Sequence, residues 1–389
     1  MKTFLQPLQN LAEMEEIQKQ AKKNCGILEI SGCMESQKAH LMYGLSGLFP
    51  CHLVIAADEK SAKELYEDYR FYDKRVYYYP AKDLLFFQAD IHGNLLIRQR
   101  MQVIRALLER EDEITVVTSI DGCMDYLAPL EKIEKQLIHF RNDSTLDMDK
   151  LTAALVHMGY ERVGQVEMPG QFSIRGGIID IYSLTEENPW RIELWGDEID
   201  SIRSFDAQSQ RSLENLDDVT IYPAAEQPME KNGVLFLDYF KETETLFFLD
   251  ELNHLEENAK AVQEEFQQSC ENRKEKGEIS LSGDWMCTWE ELCHKINDRN
   301  CVAMSLLDPK KSNWKISGQF NITVKSMSSY QSSFELLVKD LKQYKKEGYQ
   351  IVLLSGSRTR AERLAKDLQE EGLNAFYGQD SDRILQPGE

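Results

Sequence analysis

Apolar and polar positions along the chain change their rhythm twice. Over residues 1 to about 128, short β-branched runs alternate with amphipathic stretches of helical period, the grammar of an α/β layer. Residues 26–30, 52–57, 75–79 and 114–118 read as strands, and 36–48, 59–69 and 95–108 as helices. In the last of these Leu96, Met101, Ile104 and Leu107 fall near one face. Ile114 to Thr118 is continuous enough for a parallel strand buried on both sides. From about 129 to 227 the period shortens. After an amphipathic helix over 146–158, the segments GQFSIRGGIIDIYS and RIELWGDEIDSIRSFD alternate as strands. Gly176-Gly177 and Gly196-Asp197 signal tight turns between them. The stretch predicts a small antiparallel sheet with one face buried and one toward solvent. From about 228 the α/β grammar returns, with strands over 234–237, 246–249, 301–307, 320–324 and 351–354. Helices are expected over 252–268, 334–346 and 357–372, and an exposed polar loop over 267–284. Three segments follow: 1–128, 129–227 and 228–389, a β-rich unit inserted between two α/β units.

Charge narrows the function. With 66 acidic against 45 basic residues the net charge is −21. That argues against a DNA-coating surface, which needs Lys and Arg to neutralise phosphates. The first residues lack the apolar core and small-residue cleavage site of a signal peptide, and no apolar run reaches membrane-spanning length. No membrane partner and a cytoplasmic location are therefore expected. The eight cysteines are scattered and form no C-x-x-C pair. Buried reduced thiols are expected, with no metal site.

Strand, glycine and helix is the context of a phosphate-binding loop, and Gly32-Cys33-Met34-Glu35-Ser36-Gln37-Lys38-Ala39 stands in it. Gly32 and Lys38 match the pattern. Gln37 replaces the glycine that lets backbone amides approach phosphate, and Ala39 replaces the hydroxyl that would hold magnesium. The loop reads as a relic. Leu246 to Glu251 has the form of the carboxylate-bearing strand that completes such a site. Without a competent loop, Asp250 and Glu251 have no nucleotide to serve, and Asp250 is expected to cap the following helix. Tyr77, Tyr78 and Tyr79 could stack on bases but are expected to pack as a strand face. Arg358, Arg360 and Arg363 interleave with Glu362 and Asp367, as on a solvated helix face.

The run GQFSIRGGIIDIYS…RIELWGDEIDSIRSFD, over roughly forty positions, resembles the UvrA-interacting domain shared by the repair helicase UvrB and the transcription-repair coupling factors. The stretch YYYPAKDLLFFQADIHGNLLIRQRMQVIRALLER…ITVVTSIDGCM resembles the coupling factors' version, without UvrB's long aromatic hairpin. IVLLSGSRTRAERLAKDLQEEG resembles the opening of a second helicase-like layer. The resemblance implies helicase-like (P-loop-type) α/β units around the β-rich domain, in the N-terminal part of a longer protein. It implies UvrA as the partner, met by mimicry of UvrB. Arg162 and Arg175 fall on arginines that UvrB uses against UvrA, whereas Ser173 falls where UvrB has a third. Phe172 and Tyr182 are weaker candidates as aromatic anchors, with core packing as the alternative. For Arg175 the alternative is a hydrogen bond that stabilises the turn. The resemblance further implies a parent protein that meets RNA polymerase and double-stranded DNA and hydrolyses ATP with magnesium in its motor domains. In it a C-terminal domain covers the UvrA surface. For this chain it implies no cofactor and no catalytic residue. The alternative is one half of a UvrB-like ATP-dependent helicase.

Overall fold

The computed structural model describes residues 2–23, 26–82, 93–111, 113–226, 233–276, 285–307, 313–325, 327, 329–330 and 333–378. Residues 83–92 of the stretch shared with the coupling factors, 277–284 of the expected polar loop and the end of the chain from 379 lie outside them.

Four strands precede the insertion: β1 (Ile27–Ser31), β2 (Cys51–Ala56), β3 (Val76–Tyr79) and β4 (Ile114–Ser119). The helices α1 (Lys2–Gln9), α2 (Met14–Ala21), α3 (Glu35–Ser46), α4 (Glu59–Tyr69) and α5 (Gly93–Leu108) accompany them. α4 starts where expected because Asp58 caps it, its carboxylate accepting the Ser61 amide at 2.7 Å. The insertion runs α6 (Leu130–Glu134), β5 (Ile138–Arg141), α7 (Met148–His157), β6 (Glu161–Arg162), β7 (Gln171–Arg175), β8 (Ile178–Ile181), β9 (Trp190–Trp195), β10 (Glu198–Phe205), β11 (Ser212–Leu216) and β12 (Asp218–Ile221). Then follow β13 (Thr245–Asp250), α8 (Leu252–Glu275), α9 (Trp289–Asn297), β14 (Cys301–Ser305), β15 (Ile316–Asn321), α10 (Phe334–Lys346) and α11 (Arg358–Glu370).

The α/β class and the β-rich insertion are as the pattern predicts. The flanks are more closely joined than a linear division at 228 suggests. β13, β14 and β15 enter the same sheet as β1 to β4, in the order β15-β1-β14-β13-β2-β4-β3. All six pairings are parallel. Parallel strands need cover on both faces, and they have it. Leu53, Ile55, Val116 and Phe247 join a core with Met101 and Ile104 of α5 and Leu255 of α8. Val54, Val117 and Phe248, the intervening residues, join a second core with Leu41 of α3 and Leu65 of α4.

The insertion has its own core. The six-stranded order β11-β10-β9-β8-β7-β6 presents Phe172, Ile179, Ile181, Ile192 and Ile202 to Leu151 and Leu155 of α7. β5 and β12 form a separate antiparallel ribbon. α5 pins the insertion to the large sheet: Arg100 Nε donates to Glu226 at 2.5 Å, and Arg105 Nη1 to Glu186 at 2.5 Å.

Three expected elements differ. Residues 234–237 do not make a strand; Val234 forms one bridge with Leu127, and the chain then turns into a 3-10 helix, Phe236–Tyr239. α8 runs to Glu275, past the expected end of the helix, because its polar residues there are compatible with a solvated helical face. Residues 351–354 do not form a strand, and Val352, Leu353 and Leu354 are exposed, because no strand lies beside them among the described residues.

Candidate partner-binding site

The site is the six-stranded sheet of the insertion, and its register decides what each side chain can do. In the β7–β8 hairpin Ser173 faces Asp180 and Arg175 faces Ile178; on β9 Asp180 is opposite Arg191 and Ile178 opposite Glu193. Facing residues share a side of the sheet. Ser173, Arg175, Asp180, Arg191 and Glu193 therefore line the outer face, while Phe172, Ile174, Ile179 and Ile192 turn to the core.

Asp180 organises this face. It is 1% exposed, and a buried carboxylate needs partners. Arg191 reaches it with Nε at 2.7 Å and Nη2 at 2.9 Å, and Arg175 Nη2 adds a bond at 2.6 Å. Arg175 itself stays half-exposed. The internal contact it makes is thus an ion pair with the neighbouring strand and not the turn hydrogen bond given as the alternative for it. Next to it Arg203 grips both oxygens of Glu193 and holds that carboxyl below the usual range.

Arg162 sits on the other side. On the edge strand β6 it pairs with Phe172, which puts it on the core-facing side, at the rim. There it lines an open groove of about 680 Å³ with Met148, Thr152, Val156 and Ile174. Its guanidinium has no hydrogen-bond or ion-pair partner among the described residues. The two expected arginines are therefore not brought together on one face, although both are accessible.

The aromatic candidates fare differently. Phe172 is fully buried, so the anchor role expected of it is corrected to core packing: its side of β7 faces α7. Tyr182 is half-buried, and its hydroxyl donates to the Glu187 carbonyl at 2.6 Å. Ser173 is buried and donates to the Gly164 carbonyl. Sequence reasoning passed over Trp195, whose indole is 84% exposed at the β9–β10 turn. The available signal was its position beside Gly196-Asp197, at the tip of a hairpin.

The loop from Gly32 to Ala39 is built around an internal ion cluster. Lys38 is wholly buried on α3; its ammonium donates to Asp250 at 2.6 Å, to Glu251 at 2.8 Å and to Glu35 at 2.8 Å. Burial pushes the Lys38 pKa down, but Asp250 and the hydrogen bonds of all three carboxylates outweigh it and raise it. Burial drives the Asp250 carboxyl up to about 6 against the pull of Lys38. Asp250 is not the cap of α8: Glu251, in the left-handed conformation, holds that position without a side-chain cap bond. Instead Glu251 also accepts the Leu306 amide at 2.8 Å. Gly32, at φ +80°, is required by packing, because a Cβ there would lie 2.1 Å from the Ile322 carbonyl oxygen. Gln37 Oε1 is buried without a hydrogen-bond partner, and Ala39 is fully buried. No group of three or more metal-ligating residues occurs among the described residues, and no described helix is long and apolar enough to cross a membrane.

Comparison with known proteins falls on the same region. Residues 138–226 match the UvrB interaction domain. The transcription-repair-coupling factor of Bacillus subtilis (strain 168) is 28% identical over 92% of this chain and 36% of its own length. Its namesake in Staphylococcus haemolyticus is 37% identical over 39% of this chain, and that in Staphylococcus aureus (strain MRSA252) 36% over 39%. Those two matches span 13% of each relative, so this chain corresponds to about a third or less of the proteins it matches. Residues 138–226 thus match the UvrB interaction domain, in a chain that is similar along nearly its whole length to the transcription-repair-coupling factor of Bacillus subtilis.

Proposed function

We propose that this chain is the UvrA-recruiting module of a transcription-repair coupling factor, acting in the cytoplasm, and that it meets UvrA through the insertion by mimicry of UvrB. The observation that carries this is the UvrB interaction domain itself, which displays two accessible arginines, Arg162 unpaired and Arg175 braced on Asp180. A planar guanidinium suits the task, since it can grip a carboxylate with two parallel bonds. In the whole protein the module would bring excision repair to an RNA polymerase that an ATP-driven motor releases by moving on double-stranded DNA. A C-terminal domain would cover its UvrA surface until then. The loop at Gly32 serves no nucleotide in this reading. Its lysine is already spent on Asp250 and Glu251, the carboxylates that would hold magnesium, which speaks against one half of a UvrB-like helicase. The test is binding of this chain to immobilised UvrA with UvrB as competitor. Saturable binding that UvrB displaces is expected; binding unaffected by UvrB, or none, overturns the reading.

A further inference from the structure

Among the described residues Trp195 is the most exposed large apolar side chain, at 84%. It ends β9 and stands on the same face as Glu193, two residues before it. Glu193 is opposite Ile178, and Ile178 opposite Arg175. Trp195 and Arg175 thus share the outer face, separated by two strand spacings and two residues along the strand, or about 12 Å between their backbones. The hairpin tips that carry them are bonded together, the Leu194 amide donating to the Gly177 carbonyl at 2.8 Å. They also leave no slack, because a Cβ on Gly177 would stand 3.1 Å from the Leu194 carbonyl oxygen.

Charge on this face is uneven from one end to the other. Arg203 neutralises Glu193. Arg175 and Arg191 share the single carboxylate of Asp180, which leaves a positive surplus local to Arg175, while the exposed Glu198, paired with Trp195 across the hairpin, balances it at the Trp195 end. Trp and Arg are the side chains most often found to dominate protein interfaces, and rigid placement spares them the entropy of ordering.

We propose that Trp195 is the apolar anchor of the partner surface, acting together with Arg175, and that the partner offers a carboxylate for Arg175 beside an apolar slot for the indole. The proposal rests on UvrA being that partner and adds the chemistry by which UvrA recognises this face.

The test uses the full chain against immobilised UvrA, with circular dichroism to confirm folding of each variant. Trp195→Ala should weaken binding by more than about tenfold, mainly through faster dissociation. Trp195→Phe should keep most of the affinity, and Leu336→Ala, exposed on α10, should change nothing. In a chain labelled with 5-fluorotryptophan, the resonance absent from Trp195→Phe should shift when UvrA is added. If Trp195→Ala binds as the parent does while Arg175→Ala loses affinity, the anchor falls and the UvrA reading stands. If the parent chain does not bind UvrA, both fall. If Trp195→Ala abolishes self-association of the chain and leaves UvrA binding unchanged, the face meets a second copy and the proposal is overturned.

Discussion

The Lys38 ammonium and the Asp250 carboxylate lie 2.6 Å apart, both withdrawn from solvent, and tie the start of α3 to the end of β13. Removing one member of such a pair leaves the other buried without compensation, a loss of about 3–5 kcal/mol. Lys38→Met should therefore lower unfolding stability in urea by that amount. Lys38→Met combined with Asp250→Asn should recover part of it, since the unpaired charge is gone. A single variant within about 1 kcal/mol of the parent would show that the cluster is held by its surroundings and not by the pair.

The same cluster predicts the response to nucleotide. Phosphate could reach Lys38 only by displacing Asp250, Glu251 and Glu35. Calorimetric titration with Mg-ATP should show no saturable heat. A micromolar dissociation constant, about −8 kcal/mol, would mean that the loop opens and that the helicase-half alternative must be revived.

Arg162→Ala and Arg175→Ala should each weaken UvrA binding by more than about tenfold, because truncating one side of a desolvated charge pair at an interface forfeits roughly 2–5 kcal/mol. Arg162 has no internal partner to lose, so its effect should come without a change in melting temperature. Arg175 braces Asp180, but Arg191 continues to satisfy that carboxylate, so the fold should survive its loss. Arg203 would seem a natural control in the same sheet, yet it holds Glu193 on the very face in question. Arg141, exposed on β5, is the better comparison, and Arg141→Ala should bind as the parent does. Equal losses from Arg141→Ala and Arg175→Ala, read by surface plasmon resonance, would refute the residue assignment.

Acid should expose a buried histidine. Burial pushes the His52 imidazole down to about 4, between the Thr115 hydroxyl and the Ser46 carbonyl. The unfolded chain takes its proton near pH 6.5 and the folded chain does not. Stability from this group is therefore intact above pH 6.5 and declines as pH falls toward 4, by about 3 kcal/mol in all. Asp125 works the other way. Burial raises its carboxyl to about 7, so the folded chain binds that proton first and gains stability as pH falls below 7. The measurement is the difference between the parent and His52→Gln. The variant should lose less stability between pH 7 and pH 4.5, and parallel profiles would contradict the assignment.

Local chemistry was legible in the sequence and long-range placement was not. Helix α4 declares itself through Asp58 and its apolar spacing, and β13 through four apolar residues before two carboxylates. The role of Asp250 was hidden because its partner is 212 positions away. The brace on Arg175 was within reach: a lone aspartate in the strand Ile178–Ile181 asks for cations, and the register sets Arg191 opposite it on β9 and Arg175 diagonal to it on β7. Phe172 could have been read as inward from its alternation with Ser173, which itself turned out to be buried by the loop over it. That Arg162 faces away from Arg175 depends on the two-residue edge strand β6, too short to leave a periodic signal.

The bridge between Leu127 and Val234 closes the base of the insertion, each amide donating to the other's carbonyl at 2.8 and 2.9 Å. The outgoing and returning chains therefore leave the large sheet as a single zipped neck. A domain held on two leashes cannot be shed by one cut: a protease that nicks either side leaves the other covalently attached. Both ends also meet at one point, so the domain is spliced into the host like a cassette. A short linker in place of residues 128–233, combined with Arg100→Met so that the loss of Glu226 strands no buried charge, should let the seven-stranded sheet close without it, and the excised piece would carry away a core made mainly from its own side chains.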